Sequence, residues 1–251
     1  MAARTKWAAF GCLHLPVHCE SYRQWRLDQI REHRPDYIVC LGDQIDADGA
    51  SRWENENNWT LQTEYTWLAK DFRDIEEAAP GAKLVWVQGN HDANLEEPGR
   101  ISPKLRAASN WRYNIETHWI ADRWKIVPYG ARERFRLGPI TFLHGAQIGI
   151  NADRNNALLY GTEWGLTIGV HTHKLNQIQR VVLPGAIPLN RWFVNCGTGA
   201  DWDQMKYVNR LNIATWGRGM VIGDCAGADQ RRAAYMSRQW DAALLVHSQV
   251  A

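Results

Sequence analysis

Short apolar runs that end near a glycine alternate with amphipathic segments through the first third of the chain. The runs at 37–41 and 84–87 are continuous and bounded by turn residues, which is typical of buried strands. Between them, residues 60–78 carry apolar side chains at three- and four-residue spacing, which predicts a helix. With a further run at 7–11 and a helical stripe over 19–33, strand, loop and helix follow one another three times. This order predicts an α/β layered fold.

The rest of the chain is richer in short β-type runs, which predict a second sheet. A helix is expected to start at Ser102-Pro103, and the tail at 228–245 is predicted to form a C-terminal helix. Because no repeat, low-complexity tract or linker interrupts the chain, a single domain over 1–251 is expected. Glycine and proline separate most of the β-type runs, which lie at 124–128, 134–143, 166–170, 177–183, 191–195 and 219–223.

Composition favours an ordinary soluble protein over several special classes. Of 251 residues, 45% are hydrophobic and 22% are charged, and the net charge of +2 is too small to indicate a nucleic-acid partner. Five irregularly spaced cysteines imply no disulfide framework, which favours a reducing compartment. No secretion signal is visible at the start, and no apolar run approaches ~18 residues. A cytoplasmic location without membrane contact is expected.

Side chains of the kind that bind metals gather in five loops, each directly after a predicted strand. Ligand sites in α/β sheets collect at the carboxyl ends of strands, so the five loops are expected to converge. Five of the nine histidines fall in them. Each motif alone is compatible with turn chemistry, but the five in order are not easily assigned to it. The loops are Cys12-Leu13-His14, Gly42-Asp43-Gln44-Ile45-Asp46, Gly89-Asn90-His91-Asp92, His144-Gly145 and His171-Thr172-His173.

The ordered set resembles the calcineurin-like metallophosphoesterases. That family's pattern runs Asp-x-His, Gly-Asp-x-x-Asp, Gly-Asn-His-Asp/Glu, a lone His, and Gly-His-x-His. The resemblance spans residues 12–173, and its second and third motifs match fully. Two positions depart from the pattern: Cys12 replaces the first Asp, and Val170 replaces the Gly before His171. The resemblance implies a four-layer α/β/β/α sandwich of two mixed sheets, with the site at their shared edge.

The resemblance also implies two divalent metal ions and the residues that hold them. One ion would be held by Cys12, His14, Asp43 and His173. The other would be held by Asp43, Asn90, His144 and His171, so that Asp43 bridges the pair.

The reaction that the resemblance implies is hydrolysis of a phosphate ester by a hydroxide activated between the two ions, with a phosphodiester favoured. His91 would act as general acid and protonate the leaving alkoxide. Asp92 would orient the His91 imidazole, and Asp46 would support the ligand shell.

Cysteine at position 12 affects which metal is expected. A thiolate carries the same charge as the carboxylate it replaces, but its softer sulfur prefers Zn or Fe over Mg or Ca. Zn or Fe is therefore expected at the Cys12 site, and Mn, Fe or Zn at the other. Two further interpretations of Cys12 stay open. In one, the first site is weakened, and the protein keeps one metal or is a non-catalytic metal-binding scaffold or interaction protein. In the other, the residues around Cys12 hold a closed structural zinc.

The substrate class is open at the level of sequence. A phosphate ester that is a small molecule or a nucleotide is expected, and a nuclease acting on DNA or RNA is the alternative among enzymes. Specificity is expected from the loops at 47–60 and 93–119, because function resides in such grafted parts of a fold. These loops carry Trp53, Trp59, Arg100, Lys104, Arg112 and His118. A third stretch, 195–202, follows a predicted strand and is expected near the site.

Overall fold

A computed structural model gives the architecture of the chain, with five helices and eleven strands in its described part. It describes residues 4–48, 59–94, 110–130, 134–162, 164–183, 189–205, 208, 213–226 and 240–247. The helices are α1 (Glu20–His33), α2 (Leu61–Ala78), α3 (Asn90–Ala93), α4 (Ile120–Arg123) and α5 (Ala152–Tyr160). The strands are β1 (Arg4–Phe10), β2 (Tyr37–Cys40), β3 (Lys83–Val87), β4 (Lys125–Val127), β5 (Phe135–Leu137), β6 (Ile140–Phe142), β7 (Leu166–Gly169), β8 (Gln179–Leu183), β9 (Leu189–Asn195), β10 (Gly219–Ala226) and β11 (Trp240–Val246).

The strands form two mixed sheets. The first has the order β11-β10-β1-β2-β3-β4, in which β1 to β4 run parallel and β10 and β11 are antiparallel additions. The second has the order β5-β6-β7-β9-β8, with β6, β7 and β9 parallel. Each sheet therefore has a block of three or more parallel strands whose carboxyl ends share one edge.

Alternation along β1 shows how the layers stack. Ala8 and Phe10 face one core cluster with side chains of α1 and α2, whereas Trp7 and Ala9 face a second cluster with β6 and β7. Successive side chains of a strand point to opposite faces, so the first sheet lies between its helices and the second sheet. Helix α5 covers the outer face of the second sheet through Ala157. These four layers confirm the predicted α/β/β/α sandwich of two mixed sheets.

Two strands belong to a different sheet than the sequence predicts, and one helix has no counterpart among the predicted elements. The runs at 124–128 and 219–223 form β4 and β10, which join the first sheet rather than the second. Helix α5 was not foreseen, because its sequence lacks a strong apolar stripe. The expected helix start at Ser102-Pro103 lies outside the described residues.

The predicted C-terminal helix over 228–245 is wrong where the structure describes it. Residues 240–246 form β11, which pairs antiparallel with β10 from Gly219↔Val246 to Cys225↔Trp240. A short apolar run does not separate strand from helix by its pattern, and pairing with the exposed edge of β10 decides between them. Residues 227–239 lie outside the described part.

A buried ion cluster joins α1 to α2. The Asp71 carboxylate accepts from Arg23 Nε at 2.9 Å and also contacts the Arg26 guanidinium, and all three side chains are fully buried. The guanidinium of Arg26 also lies 4.4 Å from the Phe10 ring centroid, which ties the cluster to β1. Two buried cations thus share one anion at the helix–sheet contact.

Removing this anion should destabilise the fold strongly. Asp71→Ala leaves the buried Arg26 guanidinium without its carboxylate and removes one of the three acidic partners of Arg23, and we expect the free energy of unfolding to fall by ~3–5 kcal/mol. The exposed pair Asp28–Arg31 is a matched control, because Asp28→Ala should cost less than ~1 kcal/mol. Urea unfolding of the two variants measures the difference, and equal midpoints would contradict the expectation.

Candidate metal centre

Six loops meet at the edge where the parallel strands of both sheets end. The loops after β1, β2 and β3 carry the first three motifs, and the loops after β6 and β7 carry His144 and the His171–His173 pair. The sixth loop follows Asn195, the last residue of β9. Backbone hydrogen bonds join neighbouring loops, including Cys12 N–H to Gly42 O at 2.8 Å and His14 N–H to Asp43 O at 3.0 Å. The predicted convergence therefore has a backbone scaffold.

One half of the site brings together Cys12, His14 and His173. One ligand atom from each of these residues lies within 4.8 Å of the others. The ring nitrogens His14 Nε2 and His173 Nε2 are 3.1 Å apart, and all three side chains are buried. The Cys12 sulfur also accepts the His171 backbone N–H at 3.3 Å.

The other half gathers three ligand-type groups around the His144 imidazole. His144 Nε2 lies 3.1 Å from Asp43 Oδ2, 3.2 Å from Asn90 Oδ1 and 3.1 Å from His171 Nδ1. Asp43 and Cys12 also form a close group with His144, within 4.8 Å. Asp43 is therefore adjacent to donors of both halves, as a bridging carboxylate must be.

The tautomers of the histidines test whether this site fits metal ions. His144 Nδ1 donates to the Leu41 carbonyl at 2.7 Å, so in the neutral form that binds a metal its Nε2 carries a lone pair that faces three other acceptor-type atoms. Similarly, His14 Nδ1 faces the Asp46 carboxylate at 2.8 Å, which directs the Nε2 lone pair toward His173. Converging lone pairs repel one another unless a cation lies between them. The donor set of thiol, imidazole, amide and carboxylate fits divalent ions.

The backbone of the candidate ligands is strained. Cys12, His14, Asp43, His171 and His173 have φ values of 53°, 52°, 48°, 71° and 59°. Only a few per cent of non-glycine residues adopt this left-handed region, and such strain concentrates at functional sites. Five of the seven predicted ligands share it.

Burial and neighbouring charges set the protonation of the site. Burial, aided by the charge of His144, lowers the pKa of His171 to about 4, and burial with His14 lowers the pKa of His173 well below its usual range. Both imidazoles are therefore neutral, the form that binds metals. Burial opposes ionisation of Asp43, but His144 and His91 outweigh it and hold its pKa well below the usual range.

The pKa of the Cys12 thiol is raised, whereas the pKa values of Asp43, His171 and His173 are lowered. Burial raises its pKa well above the usual range, and the nearby Asp43 charge raises it further. A cation at this position supplies the charge that a buried thiolate needs, since a coordinating thiol is deprotonated by its metal.

His91, in the loop after β3, is a partly exposed imidazole. Its side chain is 25% exposed, and Nδ1 donates to the Asp46 carbonyl at 2.7 Å. The Asp46 carboxylate lies 3.5 Å from the same nitrogen and also bonds to His14. Burial lowers the pKa of His91, but Asp43 and Asp46 overcome that effect and raise it. Asp46 thus joins a candidate ligand to the candidate acid.

The contacts of Asp92 differ from those expected from the sequence. Its carboxylate accepts backbone N–H groups of the Gly42–Asp46 loop, at 2.8 Å from Asp43 and 3.0 Å from Gln44, and also that of Gly89 at 2.8 Å. Burial, with the Asp43 charge, raises its pKa to about 7, and the bond from Gly89 acts in the opposite direction. Adjacent residues of a helical turn do not face each other, so orientation of His91 by Asp92 is wrong. Asp92 instead holds the loop of Asp43.

The β9 loop contributes contacts that the sequence analysis left open. Thr198 Oγ1 donates to the Cys12 carbonyl at 2.7 Å, and Gly199 N–H donates to the same oxygen at 2.9 Å. The Cys196 sulfur points instead toward the Ala9 carbonyl, at 3.7 Å. Val170, at the family's glycine position, packs in the core between the sheets. A hydroxyl and a backbone N–H of the β9 loop therefore fix the Cys12 backbone through its carbonyl group.

Outside the motifs, two aromatic rings flank the candidate ligands. The Trp216 ring lies edge-on to His173 with centroids 4.2 Å apart, and the Tyr129 ring lies 5.9 Å from that of His144. No local pattern marks either residue. Among the expected specificity residues, Trp59, Arg112 and His118 are described, and Trp53, Arg100 and Lys104 lie outside the described part.

Gly89 allows two loops to approach more closely than any side chain would permit. A Cβ at this position would lie 2.6 Å from both Asp43 N and His144 Cε1, and closer still to Asp43 Oδ1. Gly89→Ala should displace candidate ligands of both sheets, and we expect a ~10²-fold loss of hydrolytic rate. In Gly169→Ala, by contrast, the nearest atom lies 3.8 Å away, so this variant is the control. Equal rates for the two variants would contradict the expectation.

Two mixed sheets carry imidazole, carboxylate and thiol groups, the ligand types of a metal site, at their shared edge. A sequence profile of calcineurin-like phosphoesterases matches residues 5–214, and the chain belongs to that family. The family consists of metal-dependent phosphoesterases that normally bind two divalent metals.

A comparison with curated protein sequences gave no match. None of the helices in the described ranges is long and apolar enough to cross a membrane.

Several solved structures are similar in fold to this chain. YfcE, a phosphoesterase from E. coli, is 14% identical with a TM-score of 0.42, over 93% of this chain and 99% of that one. Vacuolar protein sorting 29 from Cryptosporidium parvum is 12% identical with a TM-score of 0.38, over 98% and 99%. The nuclease MPE of Pseudomonas putida is 14% identical with a TM-score of 0.35, over 89% and 84%.

Proposed function

We propose that the chain hydrolyses a phosphodiester at a two-metal centre formed by Cys12, His14, Asp43, Asn90, His144, His171 and His173. The observation that carries this proposal is the lone-pair cluster around His144 Nε2, where Asp43, Asn90 and His171 lie within 3.2 Å. When bound by these residues, two divalent ions would supply an activated water and neutralise the phosphate oxygens. Every other contribution comes from the chain itself.

His91 is the proposed general acid. Its Nδ1–H is held by the Asp46 carbonyl, so the ring is fixed with Nε2 available to the substrate side. The nearby Asp43 and Asp46 carboxylates raise its pKa, which favours the protonated ring, and its partial exposure gives that proton access to a leaving group. An acid of this kind matters most for alkoxide leaving groups, which favours a phosphodiester over an activated monoester.

Cys12 is the proposed selector of the metal in its half of the site. Its sulfur accepts the His171 N–H, which stabilises a thiolate, and thiolate prefers Zn or Fe to Mg. Zn or Fe is therefore proposed beside Cys12, and Mn, Fe or Zn beside Asn90. Cys12→Asp, which restores the residue typical of the family, is the matched variant for this point.

One experiment tests the reaction and the metals together. The untagged protein is purified, its metals per chain are counted, and hydrolysis of bis-p-nitrophenyl phosphate is compared with that of p-nitrophenyl phosphate. Two metals per chain with faster diester hydrolysis support the proposal, and Cys12→Asp should shift metal retention from Zn toward Mn. A single tightly held zinc without hydrolysis would refute it in favour of a structural or scaffold role.

A further inference from the structure

The segment that carries two of the candidate ligands cannot hold its conformation unaided. His171 and His173 both have left-handed backbone, and each such residue costs of order 1–3 kcal/mol. Strain of this size persists only where surrounding groups fix the chain. Buried side chains of neighbouring elements must therefore fix the loop that contains His171 and His173.

Asn195, at the end of β9, bonds to the residues on both sides of His171. Its amide nitrogen lies 2.9 Å from both the Val170 carbonyl oxygen and Thr172 Oγ1, and its two hydrogens are shared between these acceptors and the Asp153 carboxylate. Its amide oxygen accepts the Gly197 N–H at 2.9 Å, which orients the carboxamide. The side chain is fully buried. Asn195 therefore contacts the loop but none of the candidate ligand atoms.

Two further polar side chains fix Asn195 in turn. The carboxylate of Asp153, on α5, accepts from Asn195 Nδ2 at 3.0 Å and from Asn176 Nδ2 at 2.7 Å. Asn176 Oδ1 accepts the Asn195 backbone N–H at 2.8 Å. Bonds to an ionised carboxylate are stronger than neutral ones, so this triangle ties α5 and β9 to the chain that follows His173.

We propose that Asn195 is a positioning residue that holds His171 and His173 in the geometry needed to bind metal. The inference rests on the proposed function, because it takes these histidines as ligands. Groups behind metal ligands set ligand orientation, and their loss typically weakens metal binding by ~10–100-fold. The network has no local sequence signature, since its members are separated by about 20 residues at each step.

Cobalt(II) binding provides a test that does not depend on hydrolysis. The apo protein is titrated with cobalt(II) against a competing chelator, and the visible spectrum reports the coordination geometry. Asn195→Ala should bind cobalt ~10–100-fold more weakly, with a changed spectrum. Thr172→Val removes only the hydroxyl that accepts from Asn195, and it should weaken binding in the same direction. Thr172→Ser keeps the hydroxyl and should restore wild-type affinity.

Thr141→Val is the matched control for the threonine variants. Thr141 is buried in β6, and its hydroxyl has no hydrogen-bond partner within the described ranges. A variant of Asn195 or Thr172 that melts earlier but binds cobalt with wild-type affinity and spectrum would overturn the inference. Wild-type protein that binds no cobalt would also overturn it. If wild-type binds cobalt and hydrolyses no phosphate ester while Thr172→Val loses affinity, the proposed reaction fails and the positioning role stands.

Discussion

His91→Ala is expected to lower kcat for an alkyl phosphodiester by ~10²–10⁴-fold while both metal ions stay bound. The imidazole donates to the Asp46 carbonyl and is partly exposed, whereas the proposed ligands His14, His144 and His173 are buried. Its removal therefore takes a proton from the leaving group without opening the metal shell. The rate loss should depend on the leaving group. With bis-p-nitrophenyl phosphate, whose leaving group needs no proton, the loss should stay under about tenfold.

Comparison of an aryl diester with a cyclic nucleotide, whose leaving group is an alkoxide, measures this dependence. His33→Ala is the control histidine, because His33 ends α1 at the opposite edge of the first sheet. Equal losses of rate on both substrates, or loss of metal from His91→Ala, would assign His91 to the metal shell instead. The result thus separates the acid from a ligand.

The fold was predictable where each segment has a period of its own. The first three strands and two long helices follow from apolar runs and helical stripes, and they lie within three residues of the predicted ranges. The sheet to which each strand belongs was not predictable in this way. β4 and β10 join the first sheet because of partners far away in sequence, and β11 becomes a strand because β10 offers it an edge. A local sequence pattern cannot predict such pairings, because they depend on strands that are distant in sequence.

Some features of the candidate site were predictable from local sequence and others were not. The carboxyl-end rule brings the five motif loops together, and the structure gathers their side chains as that rule predicts. The left-handed backbone at Cys12 and Asp43 has no signal, since neither is glycine. Asp92 was misplaced because its neighbour His91 is close in sequence but diverges from it on the helix. Asn195 lies in the stretch 195–202 that is expected near the site, but its role and the position of Trp216 have no local signal, because their contacts join distant segments.

Asp43→Asn is expected to release metal and to lower the rate by ~10³-fold, because charge stabilisation by the metals is worth several kcal/mol. Asparagine keeps the shape and tolerates the left-handed φ of 48°, and its side-chain oxygen can still accept the His91 N–H that Asp43 Oδ1 accepts at 2.8 Å. The change therefore removes the charge next to His144 and leaves the backbone of the loop in place. Metal analysis of the purified variant should find fewer than two ions per chain, whereas His91→Ala keeps both. A variant that retains two ions and the wild-type rate would contradict a bridging role for Asp43. Since one variant loses metal and the other loses only the proton donor, the pair distinguishes the two halves of the proposed chemistry.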